Sequence, residues 1–117
     1  MKKELRIHFV GEEAVDEGGV KKEWFQLIIR EIFDAKYGMF VHNTDTRSYW
    51  FNGYSTDFLE FELIGKLLGL SIYNSVILDV HFPKILYKKL VGLPSTFEDL
   101  KDSHPVCFFY FLVTRYL

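Results

Sequence analysis

Cys107 is the only cysteine in the chain and the first residue to weigh for chemistry. A cysteine attacks as its thiolate, which a neighbouring cation or base must favour. The one basic neighbour close in sequence is His104, and the tail around it, CFFYFLVTRYL, carries a single charge, Arg115. Cys107 therefore reads as an inert, buried apolar residue rather than a nucleophile. A His104/Cys107 metal site needs two further ligands, and His8, His42 and His81 show no ligand spacing. Glu12, Glu13, Asp16 and Glu17 form an acidic run. They lack the alternation toward a glycine and a distant glutamate that a calcium loop requires. No phosphate loop, serine elbow or HExxH motif is present. The residues by themselves thus predict no catalytic group, no metal and no cofactor.

The elements around these residues follow from periodicity. Leu5, Ile7 and Phe9 alternate with Arg6, His8 and Val10, which predicts a short strand ended by Gly11. Residues 11–19 are acidic and glycine-rich and read as a loop. Val20, Trp24, Phe25, Ile28, Ile29, Ile32 and Phe33 share one helical face, which predicts a helix over 20–33. Residues 39–42 and 49–52 favour strand and flank the polar stretch 43–48, the pattern of a hairpin.

Ser55 and Thr56 can cap a second helix over about 57–74, with Asp57 in its first turn. That helix is apolar on nearly all sides, so it belongs at the centre of a larger protein. Gly65 and Gly69 sit four apart in it. Each costs up to about 1 kcal/mol of helix propensity, a cost that makes sense where a neighbouring backbone packs close. Pro83 can open a helix over 83–91, with Lys88 and Lys89 in its last turn and Gly92 as its stop. Ser95-Thr96-Phe97-Glu98 reads as a capping box for a further helix. Residues 108–113 are uncharged and β-prone, an aggregation hazard where exposed.

Composition sets the outer bounds. The length of 117 residues is that of one domain. A net charge of −2 with no basic face implies no nucleic-acid partner. The most apolar stretch, 63–78, contains Lys66 and Asn74 and lies beside Glu60, Glu62 and Asp79, so it reads as a core helix and not a membrane span. Residues 5–10 hold no continuous apolar run, so no signal peptide follows Lys2 and Lys3. A lone cysteine fits a reducing compartment, which points to an intracellular protein of cytoplasm or nucleus. Aromatic residues make up 18% of the chain, enough to predict either a ring-rich core or surfaces that something else covers.

Three separated motifs, in order, carry a family resemblance. FVGEEAVDEGGVKKEWF (9–25) resembles the entry of HECT ubiquitin-ligase domains. YGMF (37–40) resembles the lead into that family's hairpin. FELIGKLLGLSIYNSVILDVHFPKILYKKLVG (61–92) resembles its central helix and the helix after it, and DLKDSHPV (99–106) continues the pattern. Within the family, DEGGV, ILDVHFP and DSHPV look most like the papillomavirus-oncoprotein-associated ligase branch. The resemblance covers residues 3–106 and leaves 107–117 as an unmatched hydrophobic tail.

The resemblance implies an α+β, mostly helical fold: the first part of the large subdomain of a HECT N-lobe, with a short strand and a β-hairpin. It implies ubiquitin-protein transfer through a cysteine thioester, with ubiquitin and a ubiquitin-conjugating enzyme as partners. In the family the acceptor cysteine and the conjugating-enzyme surface lie in later lobes, so these 117 residues alone are expected to be inactive. Some members hold a second ubiquitin on aromatics around the hairpin. Tyr37 matches one such position, with His42 and Tyr49 nearby. The remaining motif residues are expected to build the fold. Gly18 and Gly19 supply turn geometry, Asp16 caps the following helix, Gly65 and Gly69 allow close packing, and His81 and Pro83 frame an extended step into a helix. The alternative function is a non-catalytic fragment that binds ubiquitin or the rest of a HECT ligase.

Overall fold

The computed structural model describes residues 3, 5–11 and 17–116. The order of elements is α1 (Glu17–Ile32), β1 (Phe40–Asn43), β2 (Ser48–Phe51), α2 (Phe58–Tyr73), α3 (Lys84–Leu90), α4 (Phe97–Ser103) and α5 (Pro105–Tyr116). β1 and β2 pair as a two-stranded hairpin. The fold is thus α+β and mostly helical. The chain divides into two units: Met1–Phe40 with Asn52–Asp79, and Val41–Phe51 with Val80–Leu117.

The first unit is built on the inward face of α1. Phe25, Ile29, Ile32 and Phe33 recur at helical spacing and are all buried. Phe33 stacks on Phe40 with ring centroids 4.4 Å apart, and Phe40 meets Phe61 of α2 edge-on at 5.8 Å. Such pairs add packing energy beyond area burial. Asn52 fastens the chain where the hairpin leaves and returns. Its amide Nδ2 donates to the Gly38 carbonyl at 2.6 Å, and its backbone N–H donates to the Met39 carbonyl at 2.9 Å. Gly38 has φ +76, a left-handed conformation that side chains resist.

Asp57, not Ser55 or Thr56, caps α2: its carboxylate accepts the Glu60 N–H at 3.1 Å. An acid at this position satisfies an orphan donor and suits the helix dipole together. α2 ends in a pair of bonds, Val76 N–H to the Ser71 carbonyl and Ser75 N–H to the Ile72 carbonyl, with Ser75 at φ +58. This is the Schellman arrangement, whose left-handed position usually holds glycine. α3 ends the same way, with Leu93 bonded to Lys88, Gly92 to Lys89, and Gly92 at φ +74.

The second unit is held at Asp99. This carboxylate is 7% exposed and accepts both a bidentate contact from Lys88 Nζ, at 2.9 and 3.0 Å, and the Thr96 backbone N–H at 2.8 Å. It therefore caps α4 and ties it to α3 in one place. The capping box lies one residue later than the sequence suggests, at Thr96 and Asp99 rather than Ser95 and Glu98. The bond to Lys88 decides between the two registers, because only Asp99 answers a cap and a cation together. Phe108 of α5 is buried and packs on Phe97 at 4.8 Å. The Tyr49 N–H donates to the His81 carbonyl at 2.8 Å, which anchors β2 to the segment before α3.

Several expectations need correction. Residues 5–10 keep the alternation, with Leu5, Ile7 and Phe9 half-buried between exposed neighbours. They form no strand, because no ladder partner lies beside them among the described residues. Gly18 and Gly19 sit in the first turn of α1 and not in the preceding loop, where the burial of the Phe25 face outweighs their poor propensity. Asp16 lies outside the described residues. Pro83 is the cap residue before α3 and not its first helical residue, with ψ 150. Nothing stands within 4 Å of a Cβ built at Gly65 or Gly69, so no backbone of the described residues packs close there. Residues 108–113 are helical, not extended. Pro105 opens α5, and Pro105, Phe108 and Leu112 turn inward at helical spacing.

Two measurements test this account. Gly38→Ala is expected to cost about 1–2 kcal/mol in urea unfolding, since its Cβ meets no atom and only the φ penalty remains. Ser75→Gly is expected to stabilise by up to about 1 kcal/mol. Near Asp99, Lys88 and then the Thr96 N–H hold the carboxyl below the usual carboxylate range. Its contribution is complete above the unfolded value of about 3.9 and is lost as pH falls through the lower folded value. Asp99→Asn should therefore destabilise at neutral pH and lose that deficit in acid. An acid-unfolding series that shows a constant gap between variant and wild type contradicts this.

Candidate functional site

The hairpin brings two of the three expected ubiquitin contacts together. His42 of β1 and Tyr49 of β2 face each other across the ladder, with ring centroids 4.8 Å apart in an edge-on arrangement. Cross-strand pairs of this kind both stabilise the hairpin and present a polar edge. The hairpin turn is set by Asn43, whose side-chain oxygen accepts the N–H groups of Asp45 at 2.9 Å and Thr46 at 3.3 Å. Arg47 then takes φ +53, and the Thr46 and Ser48 hydroxyls share a hydrogen bond of 2.7 Å.

Tyr37 belongs to the first unit, after the end of α1. It is 48% exposed and lines an open cleft of about 510 Å3 with Ile28, Glu31, Ile32, Asp34 and Lys36. The Lys36 backbone N–H donates to the Asp34 carboxylate at 2.8 Å. Partial burial, then a hydrogen bond to the Glu60 carboxylate and the charges of Glu60 and Asp57, raise the Tyr37 phenol above its ordinary value. The lining thus mixes the apolar Ile28 and Ile32 with two acids, Glu31 and Asp34, and one cation, Lys36.

No catalytic constellation accompanies these residues. Cys107 is exposed on α5, which corrects the expectation of a buried thiol. Its neighbours one turn further along α5 are Tyr110 and Phe111, neither of them a cation. His104 is engaged elsewhere, edge-on to Trp50 at 5.5 Å. Among the described residues no group of three or more His, Cys, Asp or Glu side chains could hold a metal ion. No helix among them is long and apolar enough to cross a membrane.

The feature that sequence reasoning only half anticipated is the uncovered face of α2. Phe58, Leu59, Leu63, Ile72 and Tyr73 are exposed, Phe58, Leu59 and Ile72 by more than three quarters, while only Ile64 and Ser71 are buried. The all-round apolar sequence announced this, since one flanking helix cannot cover every side of another. Glu62 and Lys66 form an exposed ion pair in the midst of it.

The Tyr37 environment makes a spectroscopic prediction. In NMR titration of ring-labelled tyrosines, Tyr37 should deprotonate above its ordinary value of about 10, and Glu60→Gln should bring it back down. Because the folded value is the raised one, its contribution to stability is complete below pH about 10 and fades as pH rises through the folded value. An unchanged Tyr37 midpoint in Glu60→Gln would remove Glu60 from the site.

Comparison with known proteins gives the chain its family. The profile described as HECT-domain (ubiquitin-transferase) matches residues 26–111. The chain is 50% identical over 105 residues to the probable E3 ubiquitin-protein ligase HERC4 of Homo sapiens, covering 89% of this chain and 10% of that protein. It is 48% identical over 108 residues to the probable E3 ubiquitin-protein ligase HECTD2 of Homo sapiens, covering 92% and 14%. With the probable ligase mug30 of Schizosaccharomyces pombe it shares 43% over 108 residues, covering 89% and 13%. The chain thus spans between 10% and 14% of the length of these relatives. With the profile running from the middle of α1 into α5, and the helix–hairpin–helix order in place, the chain belongs to the HECT-domain family.

Proposed function

We propose that this chain is scaffold from the N-lobe of a HECT-type ubiquitin ligase, in cytoplasm or nucleus. The whole protein takes ubiquitin from a conjugating enzyme onto a cysteine and passes it to a substrate lysine. That is covalent catalysis, in which the enzyme thiolate displaces the conjugating enzyme's thiol and a lysine amine then displaces the enzyme. The observation that carries the reading is the family match through 26–111 together with the relatives' names. On DEGGV, ILDVHFP and DSHPV the branch we favour is the papillomavirus-oncoprotein-associated one. In this reading residues 3–106 form the partial domain and 107–117 a hydrophobic tail, although the family profile reaches residue 111 within that tail. The 117 residues position other parts and perform no transfer themselves, since Cys107 lacks the cationic setting of an acceptor thiol.

A second reading, an interaction fragment that binds ubiquitin, is favoured by the uncovered apolar face of α2 and by the His42–Tyr49 pair. A large exposed apolar patch marks a surface made for a partner.

One assay separates these readings. The purified chain is incubated with activating enzyme, conjugating enzyme and ubiquitin and run with and without reductant, beside Cys107→Ala. No reducible adduct from a chain with a folded amide spectrum is expected. A reducible adduct absent from the variant would make Cys107 a true acceptor and overturn the scaffold reading. In the same preparation, saturable ubiquitin-induced shifts at His42 and Tyr49 favour the interaction fragment.

A further inference from the structure

The second unit contains a cleft of about 370 Å3 that the ubiquitin-transfer reading leaves unused. It is lined by Thr46, Arg47 and Ser48 of the hairpin turn, by His81, Phe82, Pro83 and Lys84 at the entry to α3, and by Asp102 of α4. The volume falls within the range of small-ligand sites. Two of its cations lack partners. Arg47 and Lys84 make no ion pair or side-chain hydrogen bond with any described residue. Elsewhere in this unit a lysine does find a carboxylate: Lys88 and Asp99 pair at 2.9 Å. Asp102 likewise pairs with none of the described residues, although it lines the same cleft.

The backbone supports the placement. Arg47 occupies a left-handed conformation, φ +53, at a turn position where glycine costs nothing. A non-glycine residue at such a position carries strain, and strain of this kind clusters at functional sites. The turn itself is held by Asn43 and by the shared hydroxyl bond of Thr46 and Ser48, so Arg47 projects from a fixed base. The other wall is also fixed, because Pro83 is buried and the His81 carbonyl accepts from Tyr49.

We propose that this cleft binds an acidic side chain of a partner peptide. Its carboxylate lies between the Arg47 guanidinium and the Lys84 ammonium, and a basic residue beside it in the peptide meets Asp102. Arginine offers a planar fork that fits a carboxylate, and lysine adds a mobile charge. Asp102 makes the cleft bipolar. A polyacid is repelled there, and a peptide of alternating sign is preferred, which is selection by an unfavourable contact. The proposal does not rest on the ubiquitin-transfer reading.

The test uses the full chain, isotope-labelled, and the blocked peptide Ala-Lys-Ala-Glu-Glu-Ala. Saturable amide shifts at Thr46, Arg47, Lys84 and Asp102 are expected, weakening as salt is raised. The glutamine version of the peptide should not bind. Arg47→Gly removes the charge while relieving the backbone, so it keeps the fold, and it should weaken binding about tenfold or more. Lys84→Gln should weaken it in the same direction. Absence of saturable shifts, or unchanged affinity in both variants, overturns the proposal. Inorganic phosphate bound as tightly as the peptide overturns the peptide assignment and leaves a free-anion site instead.

Discussion

Apolar surface that cannot be buried where it is made is the constraint on this chain. α2 is apolar on nearly all sides, yet only Ile64 and Ser71 of it are buried, and the Phe40 ring meets it at Phe61. The consequence is a division of labour along the helix. Ile64 and Ser71 turn inward, and Phe61 closes the ring cluster beneath Phe40. The opposite side is left to whatever approaches it. Gly65 and Gly69 belong to this picture. Their Cβ positions are open, so they weaken the helix without serving any contact among the described residues. Residues that cost helix stability and face no neighbour fit a surface shaped for close approach, in a family whose members are several times longer than this chain.

The second unit solves a different problem with a polar device. α3 and α4 are seven residues each, too short to be stable alone. Asp99 compensates by answering a cap donor and the Lys88 ammonium at once, and Ser103 returns its hydroxyl to the Asp99 carbonyl at 3.0 Å. A buried carboxylate is tolerated only when fully partnered, and this one is. α5 then seats one ring, Phe108, against Phe97, while Phe109, Tyr110 and Phe111 remain outside.

Much of the architecture was legible in the residues because it rests on local rules. The inward face of α1, the hairpin with its Asn43 turn, the extent of α2 and the Gly92 stop all follow from periodicity and glycine geometry. What was not legible depends on partners distant in sequence. Residues 5–10 have the alternation of a strand, yet a strand exists only beside another. The cap of α4 falls at Thr96 because Lys88, eleven residues before Asp99, selects it. The tail is β-prone by composition and helical in fact, since Pro105 and the Phe97 ring decide its conformation. At the candidate site, the facing of His42 and Tyr49 was implied by the hairpin, whereas the influence of Glu60 on the Tyr37 phenol could not be read from spacing.

The family resemblance was legible for a different reason. Its motifs combine residues that backbone geometry demands with residues that only a larger assembly explains. Pro83 and Gly92 suit this extended step and this helix end in any protein, although Ser75 shows that the end position tolerates another residue. Phe58, Leu63 and Ile72 have no such local justification, for a solitary helix with those side chains would be better served by polar ones. Exposed together on α2, they form an apolar face of the kind that partners cover. The thiol of Cys107 lies apart from that face, exposed on α5 without a permanent cation one helical turn further along it.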